Sequence, residues 1–276
     1  MVPIKRNKNS GQLFSMSICD KLKGSSEDDI GASATLNLFI RKCSLFLDII
    51  RTLDKELPLK RKRMLDLGCG YGGLSKLISD ILGFNEVYGV DLDDQRLAIA
   101  KERGLFTFKC NLEEGPLPFP ANYFELVTAF GVLEHLKFYD NLFSEAHRVL
   151  TPNGLFLIST PNLASWVNRI ALLFGYQPRN LEVSKHVVTG VNKIYHSLYA
   201  KIQPVGHVSG ATLKAIKGLL EFYDFAIIRS WGGGIVLSPD FKLNSVIGKI
   251  VRGLDSLISR YPPLSIRLFV LVKKKR

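Results

Sequence analysis

Residues 64–76 read Met64-Leu-Asp-Leu-Gly-Cys-Gly-Tyr-Gly-Gly-Leu-Ser-Lys76. A short apolar run carrying one carboxylate, Asp66, enters a turn with glycines at 68, 70, 72 and 73, and a helical pattern opens at Leu74. Glycine lets a backbone bend tightly and approach a ligand closely, and a helix N-terminus presents N–H groups to it. Strand, glycine loop and helix in this order predict a nucleotide-type cofactor. Gly68, Gly70 and Gly73 also satisfy the dinucleotide pattern G-x-G-x-x-G. Asp66, two residues before the first glycine, separates the two readings. A carboxylate there suits a cofactor bearing an ammonium group and is poorly placed against a pyrophosphate.

Outward from this loop the chain alternates strand and helix. Strand 64–68 leads to helix 73–82, strand 86–90 to helix 94–103, and a short strand follows over 105–109. Phe124–Phe130 reads as a buried strand, 138–150 as a helix, Thr151-Pro-Asn-Gly154 as a turn and Leu155–Thr160 as the fifth strand. That alternation predicts a parallel, doubly wound α/β sheet with ligands at the C-terminal ends of its strands. A helix over about 210–223 resumes the pattern, and 225–231 and 265–272 read as the last two strands.

The flanks divide into an arm, a helix and two insertions. Residues 1–33 are polar and mixed in charge, a loose arm before a single domain over 34–276. Leu36, Phe39, Ile40, Cys43, Phe46, Leu47, Ile50 and Leu53 recur at helical spacing and predict one amphipathic helix over 36–57. The cofactor core then spans 63–161, and the C-terminal core spans 207–276. Residues 162–206 are too long for a simple connection and read as a lid or a substrate pocket. Residues 243–258, between the last two strands, keep helical spacing with basic residues outside the apolar stripe.

Composition bounds the remaining options. The chain has 276 residues, 46% of them hydrophobic, enough for a sizeable core, and a formal net charge of +12 that favours anionic partners. Cys19, Cys43, Cys69 and Cys110 form no C-x-x-C pair and no disulfide-like spacing, which predicts free thiols and a reducing cytosol. The N-terminus lacks a secretory apolar region, and no run approaches the roughly 18 apolar residues of a bilayer span. A soluble, cytoplasmic-type protein is expected. The basic helix 243–258 and the terminal Lys273-Lys-Lys-Arg276 offer a peripheral membrane contact as the alternative to simple packing.

Three successive strand ends carry a polar group where a nucleoside would lie. Asp66 stands at the first. Asp91 ends the second, about 20 residues past the glycines, where a carboxylate can accept both ribose hydroxyls. Asn111 follows the third, able to pair with an adenine edge, with Leu112 beside it to pack on the ring. Each has a plainer reading, and for Asp91 it is a cap on the next helix.

Together with G-V-D-L (89–92), G-V-L-E-H-L (131–136) and E-A-H-R-V-L-T-P-N-G-L-F-L-I-S-T-P-N (145–162), these residues resemble class I S-adenosylmethionine-dependent methyltransferases of the small-molecule type. The resemblance runs over about 60–160 and more loosely over 205–273. It implies a Rossmann-like sheet of seven strands, the last antiparallel, and S-adenosylmethionine as cofactor. Residue by residue it implies that Asp66 and the loop Gly68-Cys69-Gly70 with Gly72 hold the methionine end. Asp91 would grip the ribose beside Leu92, Asn111 and Leu112 would address the adenine, and Phe130 would line the sulfonium region. Two departures stand out: the adenine-side residue is often Asp in relatives where this chain has Asn111, and the usual Asp of the fourth-strand motif is Glu125 here.

Transfer of an activated methyl asks mainly for in-line positioning, and an oxygen acceptor also benefits from a base. The candidates are Glu134 and His135 after the fourth strand, and His207 at the close of the first insertion. The plain reading of His135 is a helix-start residue hydrogen-bonded to a neighbouring loop, and that of His207 a structural contact between insertion and core. His147, inside a helix, reads as a surface residue. His186 and His196 are too far apart for a metal pair and no cluster has zinc-like spacing, so no metal is expected. Cys69 and Cys110 are small residues filling tight loops. The acceptor expected is small or lipid-like and methylated at oxygen. Nucleic acid is disfavoured, because Thr128-Ala-Phe-Gly131 stands where an Asn/Asp-Pro-Pro-aromatic motif would be. An RNA methyltransferase and a catalytically silent partner subunit remain as alternatives.

Overall fold

Seven strands hydrogen-bond in one sheet in the order β3-β2-β1-β4-β5-β7-β6 in the computed structural model, which describes residues 18–22, 34–191, 204–234, 253, 257–258 and 260–275. They are β1 (Arg63–Leu67), β2 (Glu86–Asp91), β3 (Phe106–Lys109), β4 (Phe124–Phe130), β5 (Leu150–Pro161), β6 (Phe225–Gly233) and β7 (Arg267–Lys274). β1 to β5 pair in parallel and β7 runs antiparallel between β5 and β6. The helices are α1 (Ala34–Arg41), α2 (Cys43–Glu56), α3 (Gly73–Leu82), α4 (Asp94–Glu102), α5 (Asp140–Val149), α6 (Trp166–Leu173) and α7 (Leu213–Phe222). This is the Rossmann-like, doubly wound α/β architecture expected.

Strand alternation divides the core into two layers. Leu65, Val127, Phe156 and Val270 face one layer with Phe143 of α5 and Ile216 of α7. Met64, Leu126, Leu157 and Phe269 face the other, with Phe39 of α1, Phe46 of α2 and Leu77 of α3. Asp48 of α2 ties this second layer to β6, accepting from both Arg229 (2.7 Å) and the Trp231 indole (2.8 Å).

Several boundaries differ from the sequence reading. The helix expected over 36–57 is broken at Lys42, whose backbone (φ −123, ψ 60) leaves the α region. The hydrophobic phase survives the break because Phe46 N–H still donates to Lys42 O, so periodicity did not reveal it. The turn at 151–154 lies inside β5. Leu150 pairs with Phe124 and Leu155 with Leu126, so five residues of β5 oppose two of β4, with Asn153 at φ 64.

The N-terminal arm is not loose throughout. Ile18 and Leu22 are buried in a helical turn packed in the second layer. That turn brings Cys19 to Cys43, Cα–Cα 6.0 Å, where the two form a disulfide. The expectation of four free thiols is therefore wrong: a pair 24 residues apart is close because α2 packs on the turn.

Two lysines of the terminal basic run, offered as a peripheral membrane contact, have partners within the fold. Lys273 pairs with Glu56 (2.9 Å), and Lys274 donates to Asn122 Oδ1 (2.9 Å) and Leu150 O (2.8 Å). Because β7 is antiparallel, these lysines sit at the edge where the parallel strands begin, opposite the strands' C-terminal ends. The helix expected over 243–258 and His196 lie outside the described residues, apart from isolated positions of the former. Among the described residues no helix is long and apolar enough to cross a membrane.

Candidate active site

The loop after β1 is built on a buried polar cluster. Asp66 pairs in register with Thr128 of β4 and is 3% exposed. Its Oδ1 accepts from Thr128 Oγ1 (2.6 Å) and its Oδ2 from Ser75 Oγ of α3 (2.5 Å). Burial outweighs these two bonds and pushes the carboxyl up to about 6. Asp66 thus fastens strand β1, strand β4 and helix α3 together beneath the glycine loop.

The loop itself needs glycine. Gly68, Gly70 and Gly72 have φ of 72, 53 and 77, and a Cβ on Gly70 would meet no atom within 4 Å, so its surface is open. Gly70 N–H donates to Asp91 Oδ2 (2.9 Å), and the other oxygen of Asp91 accepts from Asp93 N–H (3.1 Å). Helix α3 starts with Gly72 as its N-cap and no side-chain cap, so its first N–H groups face outward from a helix N-terminus. Leu92, beside Asp91, is 60% exposed, a large apolar side chain left at the surface. The Asn111 side chain turns the backbone locally, its Oδ1 accepting from Glu113 N–H (3.0 Å), and Leu112 is buried in the first core layer.

Cys69 packs against Gly89, where a Cβ would stand 2.6 Å from its Sγ. Burial pushes its thiol up, and burial does the same for Cys110, so neither is poised as a thiolate. Glu125 does not reach this edge. Its Oε2 accepts from Arg63 N–H (2.7 Å) at the start of β1, so the extra methylene has no bearing on the cofactor loop. His147, expected at the surface, is half-buried: its ring packs edge-on against Phe225 (5.3 Å) and burial holds its pKa below the ordinary value.

Beyond the end of β4 opens a cavity of about 540 Å³. Phe130 and Gly131 form its floor, next to the strand end that pairs with β1. The short helical turn Leu133–His135 contributes Glu134 and His135, and the insertion contributes Arg179, Asn180, Val205 and His207. Helix α1 makes a further wall through Thr35, Leu38 and Arg41, and Phe39 of the same helix packs edge-on against Phe130 (6.4 Å).

The three candidates for acid–base work meet here. Glu134 is 2% exposed; its Oε1 accepts from Arg267 Nη2 (3.3 Å) and its Oε2 from Thr160 Oγ1 (3.1 Å). Arg267 Nη1 also donates to Thr35 Oγ1 (2.9 Å) and Ser159 Oγ (3.2 Å), so the ion pair anchors α1 to β5 and β7. The rings of His135 and His207 lie 4.9 Å apart at 61°. His135 Nδ1 is 3.1 Å from Gly206 O. A carbonyl only accepts, so this contact places the proton on Nδ1 and leaves Nε2 as the basic nitrogen.

Burial lowers the His207 pKa, with His135 and Arg267 adding to it against the opposing pull of Glu134 and Glu182. Glu182 accepts N–H bonds from Val205, Gly206 and His207 (2.9, 2.8 and 3.1 Å), which outweigh its own burial and hold its carboxyl below the ordinary range. Val208 N–H donates to Glu134 O (2.9 Å), which docks this stretch on the turn carrying His135.

Sequence reasoning missed Arg267, Arg41, Arg179, Thr35 and Thr160. A signal for Arg267 existed: it is a guanidinium immediately before the apolar run Leu268–Val272, and a buried guanidinium calls for a buried carboxylate. Thr35 carried none.

A family model described as "Methyltransferase domain" matches residues 40–230. A protein of Mycolicibacterium smegmatis named "Probable S-adenosylmethionine-dependent methyltransferase" is 39% identical over 101 residues, 36% of this chain and 38% of that one. The ubiquinone biosynthesis O-methyltransferase of Dechloromonas aromatica is 34% identical over 116 residues, 40% of this chain and 49% of that one. The match thus spans half or less of each of these relatives. Among solved structures, the S-adenosylmethionine-dependent methyltransferase of Mesorhizobium loti superposes with a TM-score of 0.51 at 20% identity, covering 81% of this chain and 96% of that one. At that identity the likeness speaks for the fold.

Proposed function

The chain belongs to the class I S-adenosylmethionine-dependent methyltransferases, and we propose that it moves a methyl group from that cofactor to an oxygen of a small or lipid-like acceptor held in the cavity beyond β4. The observation that carries this reading is the cavity itself, which begins at Phe130 and Gly131 beside the glycine loop and holds both histidines. The relative named for ubiquinone biosynthesis supports an acceptor with a ring hydroxyl and an apolar tail. Leu38, Phe130, Val205 and Ile266 supply apolar wall for such a molecule.

The residues around the loop fit the cofactor. The open surface at Gly70 and the uncapped start of α3 suit the amino-carboxylate end. The lone pairs of Asp91 left over from Gly70 and Asp93 can accept the ribose hydroxyls, and exposed Leu92 can cover the adenine face. Asn111 and Leu112 would close the adenine side. Asp66 would act through its charge and by fixing the loop, since Ser75 and Thr128 occupy its oxygens.

S-adenosylmethionine, when bound, would supply a sulfonium-activated methyl for transfer to the acceptor oxygen. The protein's work is to orient the acceptor oxygen, exclude water and take its proton. His135 Nε2 takes that proton, because Gly206 O holds the other nitrogen protonated. His207, kept neutral by burial, orients the acceptor beside it. Glu134 is a positioning residue, since its carboxylate is already committed to Arg267 and Thr160.

Calorimetry with S-adenosylhomocysteine, followed by transfer of a labelled methyl to a panel of quinol head groups, tests this. S-adenosylhomocysteine should bind and Asp91→Ala should abolish binding. His135→Gln should lower kcat by about 10²-fold or more and leave cofactor affinity unchanged. No cofactor binding would refute the whole reading; unchanged transfer in His135→Gln would refute the base.

A further inference from the structure

Among the described residues lining the cavity stand three guanidiniums, Arg41, Arg179 and Arg267, against one carboxylate, Glu134. Glu134 Oε1 lies 3.3 Å from Arg267 Nη2 and is matched to it, and Arg41 adds an exposed positive charge to the lining. The histidines add no negative charge, and the remaining polar lining, such as Thr35, Asn37 and Asn180, is neutral. Arg41 ends α1 and is exposed, at a mouth from which it can reach a ligand inside. A Cβ on Gly131 (φ 71) would stand in ordinary contact with this ion pair, 3.5 Å from Glu134 Oε1 and 3.7 Å from Arg267 Nη1, so the pair lies directly behind the end of β4.

A neutral acceptor entering this space would strip water from guanidiniums and return little. An oxyanion would meet planar donors that suit it in pairs, through charge-assisted hydrogen bonds roughly twice as strong as neutral ones. The overall charge of +12 attracts such a molecule from a distance.

We propose that the acceptor carries an oxyanion group, carboxylate or phosphate, and that Arg41, with Arg179 and Arg267, receives it in the cavity beyond β4. This rests on the reading of that cavity as the acceptor side. The anionic group anchors the molecule at the guanidiniums and turns its hydroxyl toward His135.

The test uses the full chain saturated with S-adenosylhomocysteine and three fragments of one shape: benzoate, phenyl phosphate and neutral benzamide. Calorimetry should show at least one anion binding about tenfold tighter than benzamide, and Arg41→Gln should remove about that factor while leaving benzamide and S-adenosylhomocysteine unaffected. Benzoate against phenyl phosphate decides which oxyanion is preferred. Arg41→Lys should restore part of the loss, since it keeps the charge without the planar fork. Equal affinity for benzamide and both anions, no binding of either anion, or anion binding indifferent to Arg41→Gln would each overturn the proposal. Failure of S-adenosylhomocysteine to bind would instead strike the underlying reading of the site.

Discussion

Burial raises the Asp66 carboxyl from the ordinary 3.8 to about 6, which links this one residue to the pH dependence of folding. Between those values the folded chain keeps a proton that the unfolded chain releases. The contribution is therefore fully present below pH 4 and lost as pH rises through 6, about 3 kcal/mol in all. Asp66→Asn cannot ionise, so it should gain stability over the natural chain as pH rises from 4 to 6 and hold that gain above. Thermal melts of both proteins from pH 4 to 8 check the sign; a difference that stays flat across this range would contradict it. Asp66 itself was legible in the sequence, as a charge at the end of an apolar strand. Its partners were not, because Ser75 and Thr128 reach it from a helix and a neighbouring strand, and nothing in their own segments marks them. His135 and His207, 72 positions apart, were likewise legible singly, and only the docking of 204–209 on 133–139 brings their rings together.

At the scale of elements, helix α3 and the loop before it depend on close approach to β2. Gly89 has ordinary backbone geometry, yet a Cβ there would stand 2.6 Å from Cys69 Sγ and 3.2 Å from Leu105. Gly89→Ala should lose about 1–3 kcal/mol by overpacking, and Cys69→Ala in the same chain should recover part of it, measured by urea unfolding. Equal losses in the single and double variants would show that the thiol is not what Gly89 accommodates. The periodicity of the sequence placed α3, α4, α5 and α7 within a few residues, since each buries one face against the sheet. It could not find the break at Lys42, where the apolar phase continues, or the bulge in β5, where a turn-like Thr-Pro-Asn-Gly stays within strand pairing.

For the whole molecule, the helical turn at 18–22 and helix α1 are packed into the structure ahead of the sheet. The disulfide between Cys19 and Cys43 fastens the helical turn at 18–22 to α2, while Thr35, Arg267 and Ser159 fasten α1 over the strand ends. Mass spectrometry after alkylation in denaturant should count two modified cysteines without reductant and four with it. Closing a loop of this length stabilises by about 3 kcal/mol, so reductant should also lower the melting temperature. Four modified cysteines without reductant would remove the bond.

The doubly wound sheet, the glycine loop and the three strand-end residues Asp66, Asp91 and Asn111 followed from the sequence alone, because each is written in contiguous residues whose period or spacing has a local cause. The cavity beyond β4 did not. Its walls come from α1, the turn after β4, the insertion and β7, more than 230 residues apart along the chain from Thr35 to Arg267. Only the tertiary structure joins them, because the antiparallel β7 brings Arg267 against Glu134 and Ser159, and burial there leaves an unmatched charge no choice but to find its partner.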